Sequence, residues 1–459
     1  MCARVNQQKV VICGAGIAGV SAAYFLAVKH GVQDVILIDE NAPLSLTSDH
    51  STECYRNWWP GPGDAMVAFM NRSIDLMEEL ALQSGNVFHL NRRGYLYCTA
   101  DRQRAIEMER TAREISRLGA GELRVHAGEQ DDPAYQPAPE TGFTHQPAGA
   151  DLILDPELIQ THFPYLSTEV LAALHVRRAG WLSAQQLGMY LYQQARAHGV
   201  RLLNSKVSGV EASSGRVKAI NLADGSRLPA QQFVIAAGPR LQDVGAMLSV
   251  DLPVYNELHL KLAMKDTLGV LSRAAPLVIL SDPQTLDWSP EERDLLAGDD
   301  DLRWLLEEMP SGVHTRPDGP PEGQIILILW EYHTRRVKPV WPIPLDAEYP
   351  EVAIRGLARL IPGMRAYLDK IPRPRLDGGY YTRTVENRPL IGRLPVEGAF
   401  VIGALSGFGI MVSCAAGDLL ATHLTGDSLP AYAPAFSLER YKDPAYQDLL
   451  KNWENSGQL

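Results

Sequence analysis

Residues 9–19 read Lys-Val-Val-Ile-Cys-Gly-Ala-Gly-Ile-Ala-Gly, and this run constrains the fold more than any other part of the chain. Val10 to Cys13 read as an apolar strand, Gly14, Gly16 and Gly19 as a G-x-G-x-x-G turn, and Val20 to Lys29 as the helix that follows. A second strand, Val35 to Ile38, runs into Asp39 and Glu40. Strand, glycine turn, helix and strand in that order suit a dinucleotide site. Gly14 permits the tight turn. Gly16 lets a pyrophosphate reach the backbone where Ile17 and Ala18 open the helix, because free N–H groups there favour negative charge. Gly19 lets helix and strand pack closely. Asp39, 20 residues beyond Gly19, is placed to accept ribose hydroxyls. The motif fits NAD and FAD alike, and an ordinary glycine-rich turn in an α/β core is its alternative reading.

A chain of 459 residues is too long for one core, so two domains are expected. With 46% hydrophobic and 21% charged residues it reads as a water-soluble globular protein. The net charge of −11, with no strongly basic run, argues against nucleic acid as a partner. Cys2, Cys13, Cys54, Cys98 and Cys414 show neither metal spacing nor a disulfide framework. No signal peptide is read at the N-terminus and no apolar stretch is long enough to span a bilayer, so cytoplasm is the expected compartment.

Along the chain, Ala65 to Ser84 has helical periodicity, Gly94 to Cys98 reads as a strand, and Arg102 to Leu118 as a charged helix. Residues 127–150 read as a surface loop. Nucleotide-domain character returns near Gly180, with a helix at Gln185 to His198, a strand at Val200 to Leu203, and a meander from Val207 to Leu228. Phe233 to Gly238 is a buried strand running into a glycine turn through Ala237 and Gly238. Residues 251–375 carry more proline, more aromatics and short strands, including Leu258 to Met264 and Gln324 to Trp330. Phe400 to Gly403 is again a buried strand, and Cys414 to Thr425 a helix. The expected fold is therefore α/β, with a doubly wound, Rossmann-like FAD-binding domain built from residues 1–85, 180–250 and 376–459. A second domain with an antiparallel sheet, from residues 86–179 and 251–375, would hold the substrate.

The sequence resembles the D-amino-acid-oxidase-like FAD superfamily, which includes sarcosine oxidase, glycine oxidase and dimethylglycine dehydrogenase. The resemblance covers nearly the full length, in order. It rests on Gly14-Ala15-Gly16-Ile17-Ala18-Gly19, the helix–strand unit before Val207, and the Phe233 to Gly238 strand. It continues through Arg316-Pro317-Asp318-Gly319, Thr384-Val385-Glu386-Asn387-Arg388-Pro389-Leu390-Ile391-Gly392, and the closing Gly403-Ala404-Leu405-Ser406-Gly407-Phe408-Gly409-Ile410. The resemblance implies FAD, with its adenine near Val207 and its ring near Gly403 and the Gly407–Phe408–Gly409–Ile410 turn. Backbone N–H groups leading into a helix can stabilise negative charge on a reduced flavin.

It also implies where chemistry would sit. Ser48-Asp49-His50-Ser51 would lie in a loop over the flavin. Relatives of the dimethylglycine dehydrogenase type attach flavin through a His there, and His50 falls at about that place, although Ser51-Thr52-Glu53 departs from their pattern. Noncovalent FAD is the expectation, and a link through His50 the alternative. Arg56 follows that loop and is a candidate to hold a substrate carboxylate, a task suited to a guanidinium fork; a surface ion pair is the plainer reading. Tyr381 stands where glycine-oxidase-like relatives have their carboxylate-binding Arg, and Met411 where sarcosine-oxidase-like relatives have a Lys. Arg383 and Arg388 are nearby alternatives for the missing charge. Glu331 and Tyr332 end an apolar strand, where Glu331 suits an ammonium and Tyr332 a polar group; Asn256-Glu257-Leu258-His259 is a second polar cluster. Solvated strand-end polarity is the plainer reading of both clusters.

The expected function is oxidation of a C–N bond in an amino acid, N-alkyl amino acid or related amine, with hydride passing to flavin and the imine then hydrolysing. Oxygen or another acceptor would take the electrons. No metal is expected. The rival readings are an FAD-dependent 2-hydroxy-acid or polyol dehydrogenase, and a nucleotide-binding protein without turnover.

Overall fold

Strand Val10–Cys13 is buried and lies inside a six-stranded sheet, in a computed structural model that describes residues 9–453. Across that sheet the order is Leu390–Arg393, Ala399–Gly403, Gln232–Ile235, Val10–Cys13, Val35–Asp39 and Arg201–Asn204. Five strands run parallel, and only Leu390–Arg393 is antiparallel to its neighbour. Parallel strands covered on both faces read as unbroken apolar runs, as Val-Val-Ile-Cys and Val-Ile-Leu-Ile do. Helix Gly409–Thr425 packs against both Ile17–Tyr24 and Ala65–Ser84, while Ala184–Ala197 also touches Ile17–Tyr24. The 65–84 helix has the expected bounds, and Met66, Phe69, Met70, Ile74, Met77, Leu80 and Ala81 along it are buried. The meander is a separate three-stranded sheet of Val207–Ser213, Arg216–Leu222 and Arg227–Pro229.

The second sheet has ten strands. Tyr255–Lys265 pairs on one side with Arg375–Arg383 and on the other with Ile325–Leu329 and the short Arg336–Val337. His314–Asp318, Leu277–Leu280, Tyr95–Thr99, Ala172–Val176, Ala150–Ile153 and Leu123–His126 follow in that order. The sheet is mixed, not purely antiparallel: Leu277–Leu280 runs parallel to Tyr95–Thr99, and Leu123–His126 to Ala150–Ile153. The third nucleotide-domain segment, expected from 376, opens with a strand that belongs to this second sheet. Arg375–Arg383 follows Tyr255–Lys265 residue by residue from Tyr255↔Arg383 to Ala263↔Arg375.

The ten-stranded sheet has two unlike faces. Leu260, Leu262, Met264, Ile326, Ile328 and Trp330 are buried in one core with helix Tyr349–Leu360. On the opposite face, Tyr95, Leu277 and Ile279 are buried against the six-stranded sheet and its helices. Side chains alternate along a strand, so this second face carries Glu257, His259, Tyr381, His314 and Arg316, all buried polar groups. Among the described residues no helix is long and apolar enough to cross a membrane.

Candidate active site

The glycine turn forms the floor of a long cleft. Gly14 adopts φ +115, and a Cβ there would meet the Ala236 carbonyl oxygen at 2.3 Å, so no other residue fits. Gly19 lies off the cleft; a Cβ at Gly19 would strike the Gly14 carbonyl oxygen at 1.9 Å. It shapes the turn from behind. Gly16, Ile17 and Ala18 line the cleft, and the Ile17 N–H donates to Ser48 Oγ at 3.0 Å. Asp39 receives hydrogen bonds from the Ala15 and Asn41 N–H groups, both at 2.8 Å, which fix its carboxylate at the strand end.

Further along the same cleft lie Glu40, Ser51, Val207, Ala237, Gly238, Gly403, Gly407, Gly409 and Ile410, all expected at the cofactor. Residues not foreseen join them, notably Ser205, Lys206, Arg240 and Trp341. Lys206 and Arg240 flank Glu40 at 3.6 and 4.0 Å. The cleft holds about 1590 Å³ of space free of protein atoms, including its open mouth. Two helix N-termini, at Ile17–Tyr24 and Gly409–Thr425, open onto it. The first N–H groups of a helix have no partner within it and favour negative charge, which suits an anionic pyrophosphate at one place and an electron-rich ring at another. The donor set and the glycine floor therefore fit FAD.

His50 is placed differently from the residues around it. Thr47, Ser48 and Ser51 line the cleft, whereas His50 turns to Asp377, with Nδ1 donating to Oδ2 at 2.8 Å. An available carboxylate partner competes with the flavin-facing orientation that a covalent link needs.

A smaller inner pocket adjoins the cleft, and the two share Tyr381 and Gly407. Five strands of the ten-stranded sheet each contribute one side chain from the same face: Tyr95, Leu277, His314, Leu329 and Tyr381. Glu331 follows Leu329 on that face by alternation. Opposite stand Thr52, Cys54 and Arg56, with Gly407, Phe408 and Met411 from the start of the 409–425 helix. Phe408 thus borders this pocket instead of the main cleft, and its ring lies edge-on to Trp59 at 5.0 Å.

Arg56 is 4% exposed and is no surface ion pair. Its Nε donates to the Trp58 carbonyl at 3.1 Å, and its guanidinium lies over the Trp59 and Tyr95 rings at 4.9 and 5.6 Å. The His314 Nδ1 donates to the Gly312 carbonyl at 2.8 Å, and burial pushes its pKa down, so a neutral ring with Nε2 as acceptor is favoured. Burial, and then the Glu331 charge, push the Tyr381 phenol above its ordinary value and keep it protonated.

Arg56, Glu331 and Tyr381 are thus brought together, but Tyr332 is not. It stacks near Tyr349 at 5.5 Å and reaches Asp346 at 3.5 Å. Adjacent strand residues face opposite ways, so Glu331 and Tyr332 could not both enter the pocket. Arg383 and Arg388 also lie elsewhere. Arg383 binds Glu257 at 2.6 Å, and Arg388 donates to the Pro62 carbonyl at 2.6 Å. Sequence reasoning missed Tyr95 and His314. The signal for His314 was a polar side chain two residues before Arg316, on the same face of a strand whose neighbours are apolar.

A family profile described as FAD dependent oxidoreductase matches residues 9–423. D-amino acid dehydrogenase of Rhizobium johnstonii is 28% identical over 282 residues, covering 54% of this chain and 65% of that protein, just under two thirds of its length. L-proline dehydrogenase from P. horikoshii shares the fold at TM-score 0.71 and 19% identity, over 95% of this chain and 98% of that one. Glycine oxidase from Geobacillus kaustophilus does so at TM-score 0.70 and 18% identity, over 94% of this chain and 98% of that one.

Proposed function

The chain belongs to the family of FAD-dependent oxidoreductases, and from that premise we propose that it oxidises the C–N bond of an amino acid or N-alkyl amino acid. The observation that carries this reading is the inner pocket, where Arg56 and Glu331 stand among apolar, phenolic and neutral imidazole groups beside the cofactor cleft. One cation and one carboxylate suit a substrate that carries both a carboxylate and an amine. The activities named for D-amino acid dehydrogenase and L-proline dehydrogenase agree with that class. A 2-hydroxy acid would use Arg56 but bring no cation to Glu331.

Gly14 to Ala18, Asp39, Val207 and the 407–410 turn would hold FAD, which when bound would serve as the two-electron acceptor. The chain's own residues do the rest. Arg56 anchors the substrate carboxylate. Its contacts with Trp58 and the rings of Trp59 and Tyr95 fix the fork before substrate arrives, which lowers the ordering cost of binding. Glu331 meets the ammonium and takes its proton, because only a neutral amine has an electron pair to assist loss of its α-hydride. Tyr95, Leu277, Leu329, Phe408 and Met411 exclude water. Desolvation by these walls also lowers the amine pKa. The imine product then hydrolyses. His50, paired with Asp377, stays out of the bond to flavin, and the cofactor is held noncovalently.

The test is anaerobic flavin bleaching by a panel of amino acids, N-methyl amino acids and 2-hydroxy acids. Bleaching by amines is the expected result, and bleaching by hydroxy acids alone would overturn the reading. With the active amine, Arg56→Ala should lose about 1.5–3 kcal/mol of transition-state stabilisation, a roughly tenfold to hundredfold drop in kcat/KM. Undiminished activity in that variant removes the carboxylate role.

A further inference from the structure

Behind the inner pocket lies a chain of buried polar residues that the proposed reaction has not used. His259 is 4% exposed, on strand Tyr255–Lys265. Its Nε2 lies 3.0 Å from Glu257 Oε2. A carboxylate only accepts, so Nε2 carries the hydrogen and a neutral ring has its lone pair at Nδ1. That Nδ1 is buried without a hydrogen-bond partner among the described residues, and Glu331 Oε2 lies 3.9 Å away. The Tyr381 ring stacks on the imidazole at 4.3 Å and 22° and holds its plane.

Glu257 is itself gripped. Burial works to raise its pKa, but the hydrogen bond from His259 and the Arg383 charge outweigh burial and keep it ionised. Arg383 reaches Glu257 at 2.6 Å and donates from Nε to Ser406 Oγ at 3.0 Å. Ser406 belongs to the turn that lines the cofactor cleft.

The geometry points to His259 as the store for the proton that the substrate ammonium must lose, loaded through Glu331 and stabilised by Glu257. This rests on the amine reading above. The substrate N–H bond breaks, its electron pair stays on nitrogen, and the proton forms an O–H bond at Glu331. A turn of the soft terminal torsion of Glu331 closes the gap to His259. The proton then passes to Nδ1, Glu331 returns to a carboxylate, and the new imidazolium faces Glu257. Catalytic hydrogen bonds of this kind commonly tighten when substrate binds. His259 never touches substrate; it acts as a positioning residue for charge. A buried unpaired imidazole nitrogen otherwise carries a desolvation cost with nothing gained.

Ionisable groups surround His259 on its face of the sheet. Glu257 and Lys261 share its strand, Tyr381 and Arg383 come from Arg375–Arg383, and Glu331 follows Ile325–Leu329. A pH profile must therefore be compared between variants of the holoenzyme. His259→Gln retains a donor for Glu257 but has no basic nitrogen. With the amino acid that bleaches wild type best, His259→Gln should lose roughly tenfold to hundredfold in kcat/KM near neutral pH. The loss should shrink as pH rises to where the amine is neutral in solution. Affinity for propionate, read from perturbation of the flavin spectrum, should stay within about twofold of wild type, since its carboxylate needs only Arg56. A loss equal at every pH, or no loss, would overturn the proton role. If His259→Gln fails to retain FAD, Glu257→Gln decides the same point with the imidazole still present, and a wild-type pH profile there overturns it. Wild type bleached only by hydroxy acids would instead defeat the amine reading itself, before any variant is compared.

Discussion

The two sheets contribute to the site in opposite ways. The six-stranded sheet presents mainly backbone, a glycine turn and two helix N-termini, with one side-chain carboxylate at a strand end. Its groups come from short consecutive runs, 14–18 and 407–410 chief among them. The ten-stranded sheet presents side chains, generally one per strand, drawn from positions as far apart as Tyr95 and Tyr381. Binding a common cofactor through backbone tolerates little local variation, because the chain path itself is the ligand. Choosing a substrate through side chains leaves the strands intact while single positions change.

The sharpest way to break this contrast is in the glycine turn. Gly19→Val places a side chain against the Gly14 carbonyl, where even a Cβ has only 1.9 Å. Neither atom belongs to a flexible side chain, so the cost should reach on the order of 4–5 kcal/mol. The protein should purify without flavin or fail to fold, as absorbance and a thermal melt would reveal. Full flavin content with a wild-type Tm would mean the turn is not the cofactor floor.

A middle-sized effect is expected where the two halves are tied together. Arg316, 1% exposed on the ten-stranded sheet, donates to the Thr52 carbonyl at 3.1 and 2.9 Å and pairs with Asp318 at 2.8 Å. Its guanidinium also lies over the Trp181 ring at 5.1 Å. Arg316→Met keeps much of the volume and removes the charge-assisted bonds, at a cost of roughly 2–3 kcal/mol. Urea unfolding should show this, with FAD more readily lost because the 44–56 loop is no longer held. An unchanged midpoint would show that the loop is anchored by other contacts.

The smallest effect belongs to His50. Burial works against the Asp377 charge, but hydrogen bonds from His50 and the Gly378 N–H outweigh it and hold that carboxyl below its ordinary range. A depressed carboxylate pKa stabilises the fold above the ordinary carboxylate range, and this is lost as acid carries the pH below the folded value. Both side chains are about a quarter exposed, at 27% and 25%, so the pair is worth under about 1 kcal/mol. His50→Ala should trim stability slightly at neutral pH and flatten its fall in mild acid. Acid precipitation should release the flavin from both proteins. A yellow wild-type pellet that turns colourless in His50→Ala would reverse the noncovalent reading.

Much of the cofactor cleft was legible because its elements are local. The turn at Gly14, the acid at Asp39 and the Gly407–Ile410 turn each declare themselves within a few residues. The inner pocket was legible only in part. Arg56, Glu331 and Tyr381 were named by resemblance or by their place at a strand end, whereas Tyr332 was drawn in by adjacency although strand alternation sends it to the other face. His259 was visible as part of a polar cluster, yet the regular alternation Glu257-Leu258-His259-Leu260-Lys261-Leu262 says more than the cluster does. It marks a strand whose polar side is also covered.

By itself the sequence determined the parallel strands of the six-stranded sheet, the glycine turn and the family, because those rest on periodicity and on residues with special backbone freedom. Only the tertiary structure decided which polar residues meet. Glu331 and His259 are 72 positions apart, and an antiparallel register sets them side by side. The 375–383 strand crosses into the second sheet through pairing with 255–263. Such contacts depend on how strands are ordered and phased across the sheet, which no local pattern encodes.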